Sequence, residues 1–212
     1  KIGYVGSYYY QPNVRNDLFG NSNVGKIKGV LNYSPIEEDW LYRSPYFYLK
    51  TMACIVKLNP SLKNKLQFIH IGKKPNWMDS MVELFGLQSN VIYTGFLPFD
   101  QVDKELDQID LFLSTSVKIN LGKDYALASK TFDYVLQKKP ILGFVKEGAQ
   151  FEFLENSNTG IIFDPDQIEL SAEKLKDVIC NGLILKPNIP YLKEFERIST
   201  SRKLSEIIKK VI

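Results

Sequence analysis

The residues with the clearest chemical meaning are Ser129, Lys130 and Asp133, which stand at the start of a helical pattern. Serine is a good helix N-cap residue, and a helix N-terminus with a cation beside it can bind a phosphate. Because residues three apart on a helix are neighbours, Lys130 and Asp133 can face the same ligand. The carboxylate of Asp133 can accept hydrogen bonds from the two vicinal hydroxyls of a ribose. Spacing alone favours a simpler explanation, in which Asp133 interacts with the positive end of the helix dipole.

These residues belong to a chain in which short apolar runs alternate with helical patterns. The runs predict strands at 2–6, 66–71, 90–94, 109–113, 140–145 and 160–163, and helices at 45–58, 77–85, 100–108, 129–137, 149–155, 171–179 and 191–211. Apolar strands that alternate with helices are typical of a parallel sheet buried on both faces. The predicted fold is therefore α/β: a Rossmann-like, doubly wound parallel sheet of about six strands with helices on both faces. Such sheets bind ligands at the carboxyl ends of their strands.

One stretch interrupts this alternation. Residues 11–42 are rich in Asn, Gly and Tyr, and they are long for a connection between a strand and a helix. We expect an inserted loop near the carboxyl end of the first strand, with an extra strand at 26–33. The neighbouring run Tyr8, Tyr9 and Tyr10 could border an acceptor groove, but packing within the loop is the simpler expectation.

Composition excludes several classes of protein. The chain has 212 residues, of which 44% are hydrophobic and 24% charged, as in ordinary soluble domains. A net charge of +3 is too small to indicate a nucleic-acid-binding protein. No apolar run approaches the ~18 residues of a membrane span, and no signal peptide is visible. We expect a cytoplasmic protein, or one that lies peripherally at the inner membrane face when full-length.

Other candidate sites have simple explanations. Cys54 and Cys180 have no metal-binding spacing and are expected to be buried free thiols in a reducing compartment. His70 alternates with apolar neighbours and is expected to be a packing residue. Asp164-Pro165-Asp166 imitates a metal-binding pair, but its proline and its place after a strand favour a turn. No glycine-rich dinucleotide motif follows the first strand, so we expect neither a metal nor a cofactor.

The segment 129–142, Ser-Lys-Thr-Phe-Asp-Tyr-Val-Leu-Gln-Lys-Lys-Pro-Ile-Leu, resembles a signature of the group 1 (family 4) retaining glycosyltransferases of the GT-B fold. Their pattern reads roughly Ser-Lys-x-x-Glu-Tyr-Leu-x-x-Gly-x-Pro-Ile. The resemblance implies that Lys130 lies beside the donor phosphates and that Asp133 binds the donor ribose. The sequence departs from the pattern twice. Asp133 replaces a glutamate, and Tyr125 stands where the family has its first motif glutamate, so the sugar-contacting role stays unassigned.

The resemblance extends along nearly the whole chain. Matches in the family's order occur at 4–9, 42–45, 68–72, 94–98, 109–114 and 160–166. By this resemblance Arg43 reaches the donor diphosphate, and the turn that contains Phe96 and Leu97 lies against the nucleobase. Backbone amides near Gly6, Ser7, Ser129 and Lys130 are expected to face the phosphates.

The resemblance implies that residues 1–212 form one domain, the nucleotide-sugar-binding half of a GT-B enzyme, and that an N-terminal acceptor domain is absent from this chain. Such an enzyme transfers sugar from a nucleotide sugar to a glycan or lipid-linked acceptor with retention of configuration, and the isolated chain is expected to be inactive. The catalytic residues would be Arg43 and Lys130, and the donor-binding residues Gly6, Ser7, Phe96, Leu97, Ser129, Lys130 and Asp133. Two alternatives remain: a sugar-nucleotide epimerase of the same fold, or a non-catalytic nucleotide-binding module.

Overall fold

A computed structural model describes residues 1–8 and 38–211 of the chain. Most of the predicted insertion at 11–42 therefore lies outside the described residues, as do the extra strand expected at 26–33, Tyr9 and Tyr10. The last part of that stretch has regular structure: 38–39 form a short strand, and a 3₁₀ helix spans Trp40–Arg43.

The described residues form eight strands: β1 (Ile2–Val5), β2 (Glu38–Asp39), β3 (Phe68–Ile71), β4 (Val91–Gly95), β5 (Leu111–Thr115), β6 (Lys118–Ile119), β7 (Ile141–Phe144) and β8 (Gly160–Phe163). Six of them make one sheet in the order β4-β3-β1-β5-β7-β8, with every neighbouring pair parallel. The predicted six-stranded parallel sheet is confirmed. Chain order reverses between β1 and β5, which is where doubly wound sheets bind their ligands. Strands β2 and β6 form a separate antiparallel pair.

The helices in the described part of the chain are α1 (Tyr46–Leu58), α2 (Met78–Leu84), α3 (Phe99–Asp107), α4 (Lys130–Leu136), α5 (Ala149–Ser157), α6 (Ile168–Asn181), α7 (Ile189–Lys193) and α8 (Arg197–Val211). The prediction of one final helix at 191–211 is wrong, because two helices occupy this stretch. Between them the backbone amides of Glu194 and Phe195 donate to carbonyls three residues earlier, at 3.1 Å each. The ring of Phe195 packs on Phe153, 5.1 Å between centroids, and this contact anchors the turn.

Side chains alternate across the sheet and supply two apolar cores. On one face Ile2 and Tyr4 of β1 pack with residues of α1, α2 and α6. On the other face Ile69 and Ile71 of β3 pack with residues of α3, α4, α5 and α7. Helices therefore cover both faces of the sheet, as predicted. The ends of the strands are the part of the sheet that these helices leave open to a ligand.

Two smaller expectations concern thiols and membranes. Cys54 and Cys180 are both free, but neither is fully buried, since Cys54 is half-buried and Cys180, near the end of α6, is exposed. The expectation of two buried thiols is wrong, most clearly for Cys180. Its helix packs through Leu175 and Val178, and Cys180 lies off that apolar stripe. Within residues 1–8 and 38–211, no helix has the length and apolarity that a membrane span needs.

Candidate functional site

The carboxyl ends of β1, β3 and β4 meet at three glycines. Gly6 and Gly72 have φ values of +105° and +142°, in the region that glycine tolerates best. The amide of Gly6 donates to the carbonyl of Ile71 at 2.8 Å, and the amide of Gly72 donates to that of Gly95 at 2.9 Å. A Cβ on Gly72 would lie only 2.6 Å from the Gly6 oxygen. The close approach of these glycines fixes the strand ends along one edge.

Tyr134 fixes helix α4 against this edge. Its hydroxyl accepts a hydrogen bond from the backbone amide of Val5 at 2.9 Å, and its ring stacks on Phe112 of β5 with centroids 4.2 Å apart. Lys130 lies one helical turn before Tyr134, on the same side of the helix. Docking of Tyr134 between β1 and β5 therefore carries Lys130 to the point where the chain order of the sheet reverses.

Gln150 of α5 holds the start of α4. Its side-chain oxygen accepts from the amide of Ala128 and the hydroxyl of Thr131, both at 3.1 Å. Ser129 stands at the N-terminal boundary of α4, as the sequence predicts, but its side chain makes no capping hydrogen bond. Ser129 already has helical backbone angles, φ −55° and ψ −38°, whereas a capping side chain needs the extended backbone of a true N-cap.

Lys130 is mostly buried and extends over the end of β1. Its ammonium donates a hydrogen bond to the hydroxyl of Tyr4 and lies 3.7 Å from the centre of the Tyr4 ring. Gly6 leaves room for it, since a Cβ there would be 3.3 Å from Nζ. Burial, and then the positive charge of Arg43, lower the pKa of Lys130 from 10.5 to about 7. A cation in such surroundings gains stability from an added anion.

Arg43 ends the 3₁₀ helix Trp40–Arg43 and reaches the same place. Its backbone carbonyl accepts a hydrogen bond from the hydroxyl of Thr115 at 2.8 Å, and its guanidinium carbon is 5.3 Å from the centre of the Trp40 ring. Among the described residues, neither Arg43 nor Lys130 has a carboxylate partner. The structure thus brings together the two cations that the sequence assigns to the donor diphosphate.

Asp133 and Ser7 are exposed at the same edge. Asp133 is the fourth residue of α4, and no hydrogen bond or ion pair of its carboxylate is found in the described part of the chain. Asp133 lies in the first turn of α4, as the helix-dipole explanation requires, so that explanation stays open beside the ribose assignment. Ser7 follows Gly6, and its carbonyl accepts a hydrogen bond from the Tyr4 hydroxyl at 3.2 Å. The assignments of Asp133 to the ribose and of Ser7 to the phosphates stay predictions.

Phe96 and Leu97 separate in the turn after β4. Leu97 packs down against the core, whereas the side chain of Phe96 is 88% exposed. Two strand spacings separate β4 from β1, so this turn starts about 10 Å along the edge from Gly6. Phe96, rather than Leu97, offers an open apolar face to a ligand at this edge.

An aromatic cluster lies beneath the glycines. His70 is fully buried, with Nε2 2.8 Å from the Gly6 oxygen and Nδ1 without a hydrogen-bond partner. Tyr8 stacks on Tyr4 with ring centroids 3.7 Å apart. Burial lowers the pKa of His70 and raises that of Tyr8. The expected packing roles of His70 and Tyr8 agree with this arrangement.

A second group of charged residues lies at the ends of β7 and β8, beside a cavity of about 390 Å³. Lys146 Nζ is 2.9 Å from Asp164 and 3.2 Å from Asp166, and Lys118 Nζ is 3.2 Å from Asp166. The hydroxyl of Tyr42 also donates to Asp166. We call Lys118, Lys146, Asp164 and Asp166 the paired cluster, since each lysine has a carboxylate partner.

The predicted turn at Asp164-Pro165-Asp166 is confirmed. The carboxylate of Asp164 accepts from the backbone amide of Asp166 at 3.0 Å, as Asp does in turns. Within the described ranges no group of three or more His, Cys, Asp or Glu residues could hold a metal ion.

Sequence reasoning missed the residues that hold the cations in place. Tyr4 supports Lys130, and Thr115 supports the backbone of Arg43. The structure buries both of these supporting residues. The available signal was a polar side chain within a buried strand, since such groups need a partner.

Other cavities lie away from this edge. One of about 700 Å³ opens at the amino ends of the strands, where Lys1, Asp110 and Pro140 line it. Another, of about 550 Å³, lies under residues 183–192 and is mostly apolar. Lysines line both cavities, Lys1 and Lys65 the first and Lys138 and Lys139 the second. Neither cavity lies at the carboxyl ends of the strands, where doubly wound sheets bind their ligands.

Fold and edge together define a Rossmann-like nucleotide-binding unit. The order of the six strands is that of dinucleotide-binding folds, and the unpaired cations lie at its reversal point. The model of the family described as Glycosyl transferases group 1 matches residues 43–181, more than half of the chain. The chain belongs to this family. A search of curated proteins finds no significant match.

Solved structures of glycosyltransferases share the fold. TarM has 18% sequence identity and a TM-score of 0.51, covering 85% of this chain and 28% of that one. The lipopolysaccharide outer core galactosyltransferase WaaB has 13% identity and a TM-score of 0.55, covering 78% and 44%. Anabaena HepE in complex with UDP has 16% identity and a TM-score of 0.52, covering 79% and 46%. The chain thus spans less than half the length of each, and the likeness establishes a GT-B half.

Proposed function

We propose that this chain binds a nucleoside-diphosphate sugar along the carboxyl edge of its sheet, and that the full-length protein transfers the sugar with retention of configuration. The observation that carries the proposal is the pair Lys130 and Arg43, two cations without a carboxylate partner among the described residues, at the reversal point of a glycosyltransferase-family sheet. An anionic diphosphate would neutralise both.

The chemistry of transfer explains why such cations are needed. The bond between the anomeric carbon and the β-phosphate oxygen breaks, and the electron pair leaves with the diphosphate. A new bond forms from the anomeric carbon to an acceptor hydroxyl, whose proton is released. Negative charge grows on the diphosphate in the transition state, where positioned cations lower the barrier. Lys130 and Arg43 take this role without a metal ion.

The remaining assignments follow the edge outward from the cations. Amides at Gly6, Ser7 and Ser129 meet the phosphates, and Asp133 accepts hydrogen bonds from the ribose hydroxyls. Phe96 stacks against the nucleobase, with Leu97 anchoring its turn. The exposed position of Asp133 and of the Phe96 ring supports these roles, because both side chains are accessible to a ligand.

The acceptor belongs to a part of the protein outside these residues. This chain matches less than half of each of the three related structures, which supports the idea that residues 1–212 are one donor-binding domain and that a second domain binds a glycan or lipid-linked acceptor. The isolated chain would then bind donor without transferring it. A lipid-linked acceptor would bring the full-length protein to the inner membrane face.

The fully buried state of His70 argues against the epimerase alternative. An epimerase needs acid and base groups that touch the sugar, but His70 has no exposed surface and its Nε2 is engaged with Gly6. In the described part of the edge, Asp133 is an accessible carboxylate close to Lys130, and His70 cannot serve as its acid or base partner.

Binding and turnover measurements test the proposal. The chain is titrated with UDP, GDP, ADP and dTDP in a calorimeter, with and without a chelator, and we expect one base to bind best in both conditions. The full-length protein is then incubated with the matching nucleotide sugars, and the anomeric configuration of the product is read by NMR. Epimerised donor, inverted product or binding without turnover would each contradict the proposal.

A further inference from the structure

Tyr4 contacts Lys130 through both its hydroxyl and its ring, and Ser7 and Tyr8 contact Tyr4 in turn. Its hydroxyl accepts a hydrogen bond from the Lys130 ammonium and donates one to the Ser7 carbonyl at 3.2 Å. The ammonium also lies 3.7 Å from the centre of the Tyr4 ring, within the range of a cation–π contact. The ring itself stacks on Tyr8, 3.7 Å between centroids at an interplanar angle of 14°. The ring therefore has little freedom to move.

The origin of the two side chains makes this contact unusual. Tyr4 packs in the core on one face of the sheet, whereas Lys130 comes from α4, whose Tyr134 packs in the core on the other face. The ammonium extends over the backbone of Gly6 to reach the hydroxyl. The lysine side chain has a flexible stem of four carbons. Without a hydrogen-bond acceptor on the far side of Gly6, the ammonium would not stay in one position above it.

We propose that Tyr4 is the positioning residue for Lys130: its hydroxyl and ring face hold the ammonium over Gly6, where a donor diphosphate would bind. The inference rests on the proposed function for its purpose, although the contact itself can be tested without any ligand. Tyr4 fixes the place of the cation, and it also favours the charged form, since hydrogen bonding to a charged group stabilises that form.

The charged and titratable groups around Lys130 come from several elements. Arg43 adds a positive charge that lowers the pKa of Lys130, and His70 of β3 interacts with it electrostatically. Asp133 lies one turn along α4 and is exposed, and Tyr134 is a neutral neighbour on the same helix. Tyr4 accepts a hydrogen bond from the ammonium, and by the proposal this bond favours the charged form against burial and Arg43.

The variant Tyr4→Phe tests this role, because it keeps the ring and its stacking but removes the hydroxyl. The matched control is Tyr48→Phe: Tyr48 is equally buried, and its hydroxyl contacts the sulfur of Met52 at 3.6 Å. Selective ¹³C labelling of lysine lets NMR follow the Lys130 Cε signal through a pH titration without ligand. We expect Tyr4→Phe to lower the Lys130 pKa by about one unit and Tyr48→Phe to leave it unchanged.

A second measurement needs no variant. In the wild-type chain the Hε signals of Lys130 should be shifted upfield by the Tyr4 ring beneath them, relative to every exposed lysine. An unshifted Lys130 signal, or the same Lys130 pKa in Tyr4→Phe and wild type, overturns the proposal. These readouts stand even if Tyr4→Phe is less stable than wild type.

Diphosphate binding separates this inference from the proposed function. With the best-binding nucleoside diphosphate and inorganic pyrophosphate as probes at pH 8, Tyr4→Phe should bind about three- to tenfold more weakly, since a lower Lys130 pKa leaves less ammonium. If Lys130→Ala binds both probes as well as wild type, the proposed function fails while the Tyr4 contact can still be seen by NMR. If Lys130→Ala weakens binding but Tyr4→Phe does not, the positioning role alone fails.

Discussion

Two pairs of basic residues lie at the same edge of the sheet, and they differ in their partners. Lys118 and Lys146 contact Asp164 and Asp166 at 2.9–3.2 Å. Lys130 and Arg43, two strands away, have no carboxylate partner within the described residues. The comparison shows that a lysine near a nucleotide site is informative only when its neighbours leave its charge uncompensated.

The electrostatic consequences are opposite in the two places. At Lys146 burial acts to lower the pKa, but Asp164 and Asp166 outweigh it and raise the pKa. At Lys130 burial dominates, Arg43 adds to it, and the pKa falls to about 7. A buried cation without a partner destabilises the folded protein. Sites that retain such a cost are candidates for function.

The largest expected effect is the difference in nucleoside diphosphate affinity between a variant that lacks the unpaired cations and one that lacks the paired lysines. The double variant Arg43→Ala/Lys130→Ala should bind nucleoside diphosphate about 100-fold or more weakly, because charged hydrogen bonds contribute ~1.5–3 kcal/mol each and 1.4 kcal/mol is tenfold. The matched double variant Lys118→Ala/Lys146→Ala should change affinity by less than about threefold, while its melting temperature falls. Calorimetry and thermal unfolding measure the two effects. Equal losses of affinity in both variants would remove the distinction between the pairs.

Asp133, like Lys130 and Arg43, is a charged residue without a partner of opposite charge among the described residues, and we assign it to the donor ribose. Asp133→Asn should weaken binding of a ribonucleoside diphosphate by roughly tenfold or more, because a carboxylate that accepts hydrogen bonds from both ribose hydroxyls is replaced by an amide that accepts at one atom and donates at the other. The 2′-deoxy ligand should bind wild type less well and lose less on mutation. Asp100→Asn is the control, since Asp100 is an exposed acid in the first turn of α3. If Asp133→Asn only lowers the melting temperature, as Asp100→Asn would, the helix-dipole explanation holds.

The pH dependence of binding should follow the lowered pKa of Lys130. Below pH 7 the Lys130 side chain of the free protein is a charged ammonium. Above pH 7 it loses its proton and with it the positive charge that binds the diphosphate, so affinity for the diphosphate falls as pH rises. The ligand stays fully ionised here because the second phosphate pKa is about 6. Between pH 7 and 8.5 we expect affinity to fall by up to about 15-fold, the limit set by one bound proton. Lys130→Ala should show a flat profile, and a wild-type profile equally flat would contradict the shift.

The smallest expected effect is on stability. The folded-state pKa of Lys130 lies below its ordinary value of 10.5, so between pH 7 and 10.5 the unfolded chain binds more protons, and stability rises with pH. Below pH 7 the full cost of the buried charge is present. Lys130→Met removes the cost of burying this charge, and it should raise the melting temperature by about 2–4 °C for each kcal/mol gained in the free energy of unfolding. The gain should be largest below pH 7 and shrink toward pH 10; a gain that is constant with pH would point to packing instead.

The sequence predicts the sheet better than it predicts the site. Apolar runs mark all six strands of the main sheet because buried parallel strands have a nearly continuous apolar sequence. Strands β2 and β6 have two residues each and carry no such signal. Nor does the sequence signal the contact by which Lys139 donates to the carbonyls of Leu106 and Asp107 at 2.7 and 2.8 Å. Its partners at the end of α3 lie more than thirty residues away.

The same limit applies to the candidate site. Lys130 and Asp133 are visible because both lie in one helical turn, where spacing specifies proximity. Tyr4 and Lys130 are separated by 126 positions, and Tyr42 and Asp166 by 124. Sequence spacing carries no information about such contacts, so it could not tell which cations are paired and which are free.

The most direct test of the central claim compares ligands of increasing phosphate length. Nucleoside, nucleoside monophosphate and nucleoside diphosphate of the best-binding base are titrated into wild type, Lys130→Ala and Lys146→Ala. The unpaired cation should matter only where phosphates are present: Lys130→Ala should lose at least about tenfold toward the diphosphate and little toward the nucleoside. Lys146→Ala should follow wild type with all three ligands. Equal losses toward nucleoside and diphosphate in Lys130→Ala, or a loss as large in Lys146→Ala, would contradict the account.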